Sequence, residues 1–307
     1  MSFGPFKARS QGAAVFVAAA AILISTSGCA PSADGGNAGG AVTLPSKNVE
    51  GWTLPLDDFL LSDMQLKKSS YAGALLLSEC LARQGIEIAV PFVDFDAAYG
   101  DQVHKRSMLT RGLAEEVGYR GPDSRTPAGI AAWEEYRTTQ RSDVELKAMD
   151  ACRTELGDEM PSYGNDVVNF TSSFAASAFQ GAAASGEVTT AADAWRECVA
   201  AYGVEDLPDS PYMMPSESVR IRFGLNPAKD TPPAPLTQAE IDLALADVDC
   251  RESSGYHQAL YDAIWEREAR LLEENQAAFE EQRAAIEATD AEIDRIIAQY
   301  ATAGGSS

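Results

Sequence analysis

The most regular pattern of apolar and polar positions lies near the C-terminus. No glycine or proline occurs between His257 and Tyr300, which predicts one helix of about 44 residues, roughly 66 Å long at 1.5 Å per residue. Its large apolar side chains keep a heptad spacing, at Trp265, Leu272, Phe279, Ile286, Ile293 and Tyr300. The alternate heptad positions are mostly polar, at Tyr261, Glu268, Asn275, Gln282, Thr289 and Ile296. The pattern is therefore half of a coiled coil.

This apolar stripe needs a surface to pack against. Packing within the chain is favoured, because a helix over Phe170–Ala184 and one around Tyr71–Leu81 both offer apolar faces. The alternative is a homodimer through the long helix. A capping-box pattern at Thr237–Glu240 begins a preceding helix, and Ser253-Ser254-Gly255 predicts a break between that helix and the long one.

The rest of the body is also predicted to be helical. Apolar periodicity predicts helices at about 57–84, 101–118, 127–156, 165–185 and 189–202. The one good strand candidate is Ile86–Phe95, and its internal Pro91 confines it to a sheet edge or to an extended connection. The predicted fold class is mainly α, with little or no β.

Four cysteines lie in this helical region: Cys80, Cys152, Cys198 and Cys250. They allow three pairings, and an internal repeat narrows the choice. Cys80 and Cys198 each follow a glutamate, whereas Cys152 and Cys250 each follow a nearby aspartate and precede an arginine. All four have a glycine five residues later, suited to a left-handed helix end. Each half therefore has an opening and a closing cysteine, and the predicted disulfides are Cys80–Cys152 and Cys198–Cys250.

The N-terminus has the layout of a signal peptide. Lys7 and Arg9 precede an apolar run from Ala13 to Ile24, and small polar residues lead to Cys29. The run is too short for a permanent span, which needs about 20 residues. Ser25-Thr26-Ser27-Gly28-Cys29 resembles the lipobox of bacterial lipoproteins, with Thr26 where leucine is usual, and this resemblance implies a lipid-modified Cys29. The alternatives are ordinary cleavage after Ala30 and an uncleaved signal anchor.

The predicted organisation follows from these segments. Residues 1–28 are a signal peptide, and residues 29–48, rich in Gly, Ala and Ser, are a lipidated flexible tether. The body spans residues 49–300, with two related halves at about 49–160 and 161–256 and the long helix at 257–300. Residues 301–307 are expected to be a disordered tail. The expected location is the extracytoplasmic face of a cell membrane, held there by the lipid anchor.

Charge and motifs limit the chemistry of this chain. A net charge of −22 repels nucleic acid and anionic lipid. The sequence lacks G-x-S-x-G, S-x-x-K, H-E-x-x-H and G-x-x-x-x-G-K, so no catalytic, metal-binding or cofactor-binding residues are assigned. Asp94-x-Asp96 with Asp101 is incomplete as a calcium loop. His257 is interpreted as capping a helix start, and His104 lies in a charged helical stretch.

The four tryptophans, Trp52, Trp133, Trp195 and Trp265, could line a ligand groove, but core packing is the favoured interpretation. The second half of the body combines Trp195-Arg-Glu-Cys198 with Leu207-Pro208-Asp209 and Ala246-Asp247-Val-Asp249-Cys250-Arg251. In these motifs the chain resembles a large family of uncharacterised actinobacterial lipoproteins and secreted proteins. The resemblance spans about residues 50–300 and implies an envelope location and paired cysteines, but no activity.

Three hypotheses of function remain, and each predicts a different surface. The leading one is a non-enzymatic binding or scaffold lipoprotein with an envelope protein or wall component as its partner, which predicts an exposed apolar strip on the long helix. The first alternative is a solute-binding or cation-binding accessory lipoprotein, which predicts a deep pocket. The second is a cell-wall-modifying hydrolase, which predicts convergent carboxylates in a cleft.

Overall fold

Helices account for almost all of the regular structure in the computed structural model, which describes residues 44–95, 97, 106, 108–120, 130–225 and 234–304. Within those ranges the α-helices are α1 Asp63–Arg83, α2 Arg111–Val117, α3 Ala131–Thr138, α4 Asp143–Leu156, α5 Asn165–Ala183, α6 Gly186–Val199, α7 Glu217–Phe223, α8 Gln238–Ser253, α9 Tyr256–Glu274 and α10 Gln276–Gly304. Across the same residues there is no β-strand, only an isolated bridge between Asn48 and Thr53. The mainly α prediction is confirmed.

Several helix boundaries differ from those predicted. Capping side chains begin a new helix within segments that were each predicted to form one helix. Residues 57–59 form only a short 3-10 turn, and α1 begins after the capping box of Ser62 and Gln65. The single helix expected over 127–156 is two, since α3 ends at Thr138 and Ser142 with Glu145 forms a capping box for α4. Where a helix was expected at 101–118, the described residues 108–110 are not helical and α2 spans only 111–117.

Both predicted disulfides are present. Cys80 of α1 bonds to Cys152 of α4 with a Cα–Cα distance of 5.8 Å, and Cys198 of α6 bonds to Cys250 of α8 at 5.6 Å. They close loops with sequence separations of 72 and 52 residues, so loop-closure entropy stabilises the fold by about 4 kcal/mol for each.

The glycine that follows each cysteine adopts a positive φ, with values of 77° at Gly85, 46° at Gly157, 70° at Gly203 and 72° at Gly255. Gly203 and Gly255 have the predicted left-handed conformation, whereas Gly157, with ψ −118°, does not. Between the cysteines of the first half, residues 86–94 form a connection without regular secondary structure, not a strand. The repeated unit of helix, glycine stop, connection and returning helix is therefore seen in both halves.

The predicted C-terminal helix is interrupted at Asn275, which separates α9 from α10. Asn275 leaves the helical region with φ −123° and ψ 24°, and its side-chain amide donates to the carbonyl of Leu271 at 2.8 Å. At the far end, α10 continues to Gly304, so part of the tail expected at 301–307 is helical. The break predicted at Ser253-Ser254-Gly255 is present between α8 and α9.

The apolar stripe of α9 and α10 is covered within the chain. Helix α9 packs against α5, α6 and α8, whereas α10 packs against α1 and α5. Leu272, Phe279, Ile286 and Ile293 are all buried in these contacts. The predicted intramolecular packing is correct, and the exposed apolar strip that a scaffold required on the long helix is absent from its described residues.

The two halves of the body share one core. Helix α2 of the first half packs on α8 of the second, and the described residues all belong to one compact unit, Val42–Ser307. Trp52, Trp133 and Trp195 are buried, as core packing predicts. Trp265 is partly buried, with the ammonium of Lys47 5.1 Å from its ring centroid.

Candidate functional site

The chain enters the body as an N-terminal strap, residues 44–56, that crosses α9. Lys47 forms an ion pair with Asp262 at 2.6 Å, and the hydroxyl of Tyr261 joins two points of the strap. That hydroxyl accepts from the Asn48 amide at 2.7 Å and donates to the Thr53 carbonyl at 2.7 Å. Residues 44–48 were expected to belong to the flexible tether, so the ordered body begins earlier than predicted.

Trp52 holds the middle of the strap in place. It has a φ of 47°, a region that non-glycine residues rarely adopt, and its ring is 6% exposed. The indole packs edge-on against His257 with ring centroids 5.0 Å apart and against Tyr261 at 5.4 Å. Packing of the indole on α9 therefore offsets the strained backbone of the strap.

A cleft of about 410 Å³ lies between this strap, the start of α2 and the junction of α8 with α9. Val49 and Glu50 come from the strap, Arg111 from α2, and Glu252 and His257 from the junction. Val248, which is 1% exposed, contributes an apolar part of the wall. The cleft has the size of a small-molecule site, and it combines charged, polar and apolar groups.

The charges of the cleft are unevenly satisfied. The guanidinium of Arg111 is paired with Asp249. Glu50 and Glu252 are exposed, and neither side chain accepts a hydrogen bond or forms an ion pair with another residue in the described part of the chain. Among the described residues, the cleft therefore presents two carboxylates that no other side chain neutralises.

His257 lies in the first turn of α9, but it does not cap that helix as the sequence suggested. Gly255 is the N-cap residue, and the imidazole instead faces the strap, where the Trp52 ring and the backbone carbonyl of Val49 lie beside it. Burial, followed by the positive charge of Arg251, lowers the pKa of His257 below its usual range. The ring is therefore mostly neutral near pH 7.

A buried polar cluster supports the wall of the cleft formed by α8. Asp247, fully buried, accepts from the Trp195 indole at 2.8 Å and from two guanidinium nitrogens of Arg251, at 2.8 and 2.7 Å. Arg251 also donates to the Pro211 carbonyl at 2.7 Å. Burial and the nearby Asp247 charge raise the pKa of Tyr119. Together with the Cys198–Cys250 disulfide, this cluster fixes α8 relative to α6.

A second cavity, of about 360 Å³, lies on the other side of the strap. Its walls are mainly apolar and include Trp52, Leu54, Phe179 and Ile264. The one charged group in its lining is Arg106, which is paired with Asp57 and with the fully buried Glu268. Because this arginine is already paired, the cavity offers less specific recognition of a charged solute than the first.

The sequence singled out only part of this cleft. It identified His257 and Gly255, but Glu50, Arg111 and Glu252 carried no motif, because folding brings them together from positions more than 60 residues apart. Cys29, Asp96, Asp101 and His104 lie outside the described residues. In the described ranges no cluster of His, Cys, Asp or Glu could hold a metal ion, and none of the helices there has the length and apolar character of a membrane span.

Comparison of the chain with protein-family models, with curated proteins and with solved structures finds no match in any of the three.

Proposed function

We propose that this chain is a lipid-anchored, extracytoplasmic binding protein that holds a small, positively charged organic solute without transforming it. The observation that supports the proposal most is the cleft beside the strap, where two carboxylates without partners among the described residues face a space of about 410 Å³. The net charge of −22 adds a long-range attraction for cations. The disulfide and the buried cluster behind α8 would keep the cleft preorganised.

Binding is favoured over a scaffold role because a scaffold role predicted an exposed apolar strip on the long helix, and other helices of the chain cover that strip. The apolar positions of α9 and α10 are buried against α1, α5, α6 and α8. A partner or a second copy of the chain would have to use another face. The open cleft, by contrast, is a surface that the solute-binding alternative requires.

Binding is also favoured over hydrolysis. A glycosidase needs one carboxyl group that apolar surroundings keep protonated while its partner stays ionised. Glu50 and Glu252 are both exposed to solvent, so neither has the apolar surroundings that the acid of such a pair requires. Turnover of peptidoglycan or of chitooligosaccharides by the purified protein would overturn this part of the proposal.

Calorimetric titration tests the binding site directly. The mature protein in detergent is titrated with putrescine, ethanolamine and choline as cationic probes, and with acetate and glucose as anionic and neutral probes. We expect at least one of the cationic probes to bind, and we expect acetate and glucose not to bind. Replacement of both carboxylates, in Glu50→Gln with Glu252→Gln, should weaken that binding at least tenfold, since each charged hydrogen bond contributes about 1.5–3 kcal/mol.

The control for this experiment is Glu281→Gln with Glu287→Gln, which removes the same two charges from exposed positions on α10. It should leave the affinity unchanged. If the control weakened solute binding as much as the variant in Glu50 and Glu252, binding would depend on the overall charge of the protein and not on the cleft. Failure of every cationic probe to bind would remove the support for a cationic solute.

A further inference from the structure

The strap is held to α9 at two ends that respond differently to acid. At one end Lys47 pairs with Asp262, and hydrogen bonds from Lys47 lower the pKa of Asp262. This carboxylate therefore stays ionised in mild acid and the ion pair persists. At the other end Trp52 and Val49 rest on the imidazole of His257, a group that gains charge in the same pH range.

The charged groups around His257 come from every element that meets it. Arg251 and Glu252 lie at the end of α8, Glu50 is in the strap, and Arg111 begins α2. Arg251 opposes protonation of the imidazole, whereas Glu252 and the Val49 carbonyl favour it. Arg251 is tied to Asp247 and is 3% exposed, so it cannot move away when the ring becomes charged.

We propose that His257 is an acid-sensitive latch that holds residues 49–52 of the strap against α9 and releases them when it is protonated. Release moves Val49 and Glu50, which form one wall of the cleft, while the Lys47–Asp262 pair keeps the strap attached. The latch thus opens the cleft without detaching the strap. It does not depend on which solute the cleft binds.

The sign of the effect follows from proton linkage. With the strap closed, burial and Arg251 lower the pKa of His257; with the strap open, the ring is in water with an ordinary pKa of about 6.5. The closed state is therefore most stable above pH 6.5. Its stability falls as the pH drops below that value and levels off below the pKa of the closed state.

Two measurements on the mature protein in detergent test the latch. His104 and His257 are the only histidines, so a pH titration of ring signals by NMR resolves them, and His104→Gln assigns the remaining signal. We expect a midpoint for His257 below 6.5. Hydrogen exchange, corrected for its intrinsic pH dependence, should then show faster exchange at the Trp52 and Thr53 amides at pH 5 than at pH 7.5, by about tenfold for each pH unit that separates the two pKa values.

The matched variants decide whether His257 causes this change. His257→Gln keeps a donor for the Val49 carbonyl but cannot become charged, so its strap should exchange at the same corrected rate at both pH values. His104→Gln should retain the full response. A midpoint at or above 6.5, as attraction between the imidazolium and the Trp52 ring would produce, overturns the proposal, and so does an unchanged acid response in His257→Gln.

Discussion

Arg251 and Arg153 occupy the same place in the internal repeat but have different environments. Arg251 follows Cys250, has a side chain that is 4% exposed, and pairs with a fully buried Asp247. Arg153 follows Cys152, is 49% exposed, and pairs with Asp150, which is 77% exposed. The repeated Cys-Arg motif therefore indicates the disulfide in both halves, but a buried ion pair in only one.

This difference gives a matched test. Arg251→Met should destabilise the protein by about 3–5 kcal/mol, because it leaves the Asp247 carboxylate buried without its cation. Arg153→Met should change the free energy of unfolding by less than about 0.5 kcal/mol, since exposed ion pairs contribute little. Urea denaturation of both variants with the disulfides intact measures the two values. Similar values for the two variants would show that the protein tolerates the buried Asp247 carboxylate without the charge of Arg251.

Single residues of the cleft were the hardest part to predict. The sequence pattern gave no reason to connect Glu50 with Glu252, because neither belongs to a motif and their proximity depends on how the strap crosses α9. Trp195 and Arg251 belong to the motifs that carry the family resemblance, yet only the structure shows that both bind Asp247. Spacing along the chain predicts neighbours on one helix, but not neighbours across helices.

Helices α9 and α10 show what a periodic apolar pattern can and cannot predict. The heptad stripe correctly predicted which positions are buried, but not that two polar positions beside it are buried as well. Glu268 is fully buried because Arg106 and the Leu56 amide satisfy its carboxylate, and Gln282 donates to the Val167 carbonyl at 2.5 Å. These partners come from distant segments of the chain. The sequence therefore predicted a narrower buried face than α9 and α10 have.

Phe279 is the side chain through which α10 is most firmly packed. It is fully buried, and its ring lies 5.2 Å from each of the rings of Phe59, Phe170 and Phe174. Phe279→Ala should destabilise the protein by about 3–5 kcal/mol, because it leaves a cavity among these rings. The control is Phe92→Ala, at a position that is 70% exposed, with an expected change within about 0.5 kcal/mol. Thermal and urea unfolding compare the two.

Helix ends were predicted less well than helix interiors, for a physical reason. The single helices predicted over 57–84 and 127–156 did not allow for Ser62 and Ser142, each of which caps the start of a new helix by accepting a hydrogen bond from the third residue of that helix. Asn275 interrupts α9 and α10 without any glycine or proline. Such helix ends depend on local hydrogen bonds of single side chains, which the apolar periodicity does not indicate. The positive φ of the glycines after the cysteines was predictable, because only glycine adopts that conformation at low cost.

The whole molecule combines a rigid body with an acidic surface. Each disulfide lies within one half of the chain, and the ion pairs of Arg106 with Glu268 and of Arg111 with Asp249 tie the first half to α9 and α8. The strap brings the N-terminal segment across α9, beside the cleft. In the proposed arrangement, the residues that connect the lipid to the body therefore also form a wall of the binding site.

The proposed anchor can be tested separately from the binding site. Cys29→Ala should abolish lipid attachment and leave export intact, because the apolar run Ala13–Ile24 and its basic flank are unchanged. That run is too short to hold the chain in a bilayer as a permanent span. The protein should therefore move from the membrane pellet to the soluble extracytoplasmic fraction, as measured by immunoblotting and by partition into detergent.

Thr26→Leu is the matched control, since it brings the cleavage region closer to the lipobox and should keep the protein in the membrane pellet. A Cys29→Ala protein that remains in the pellet would refute the lipid anchor and favour an uncleaved signal segment. In that case binding of a cationic solute by the cleft would still stand, because Glu50 and Glu252 belong to the body. The two outcomes together separate where the protein acts from what it binds.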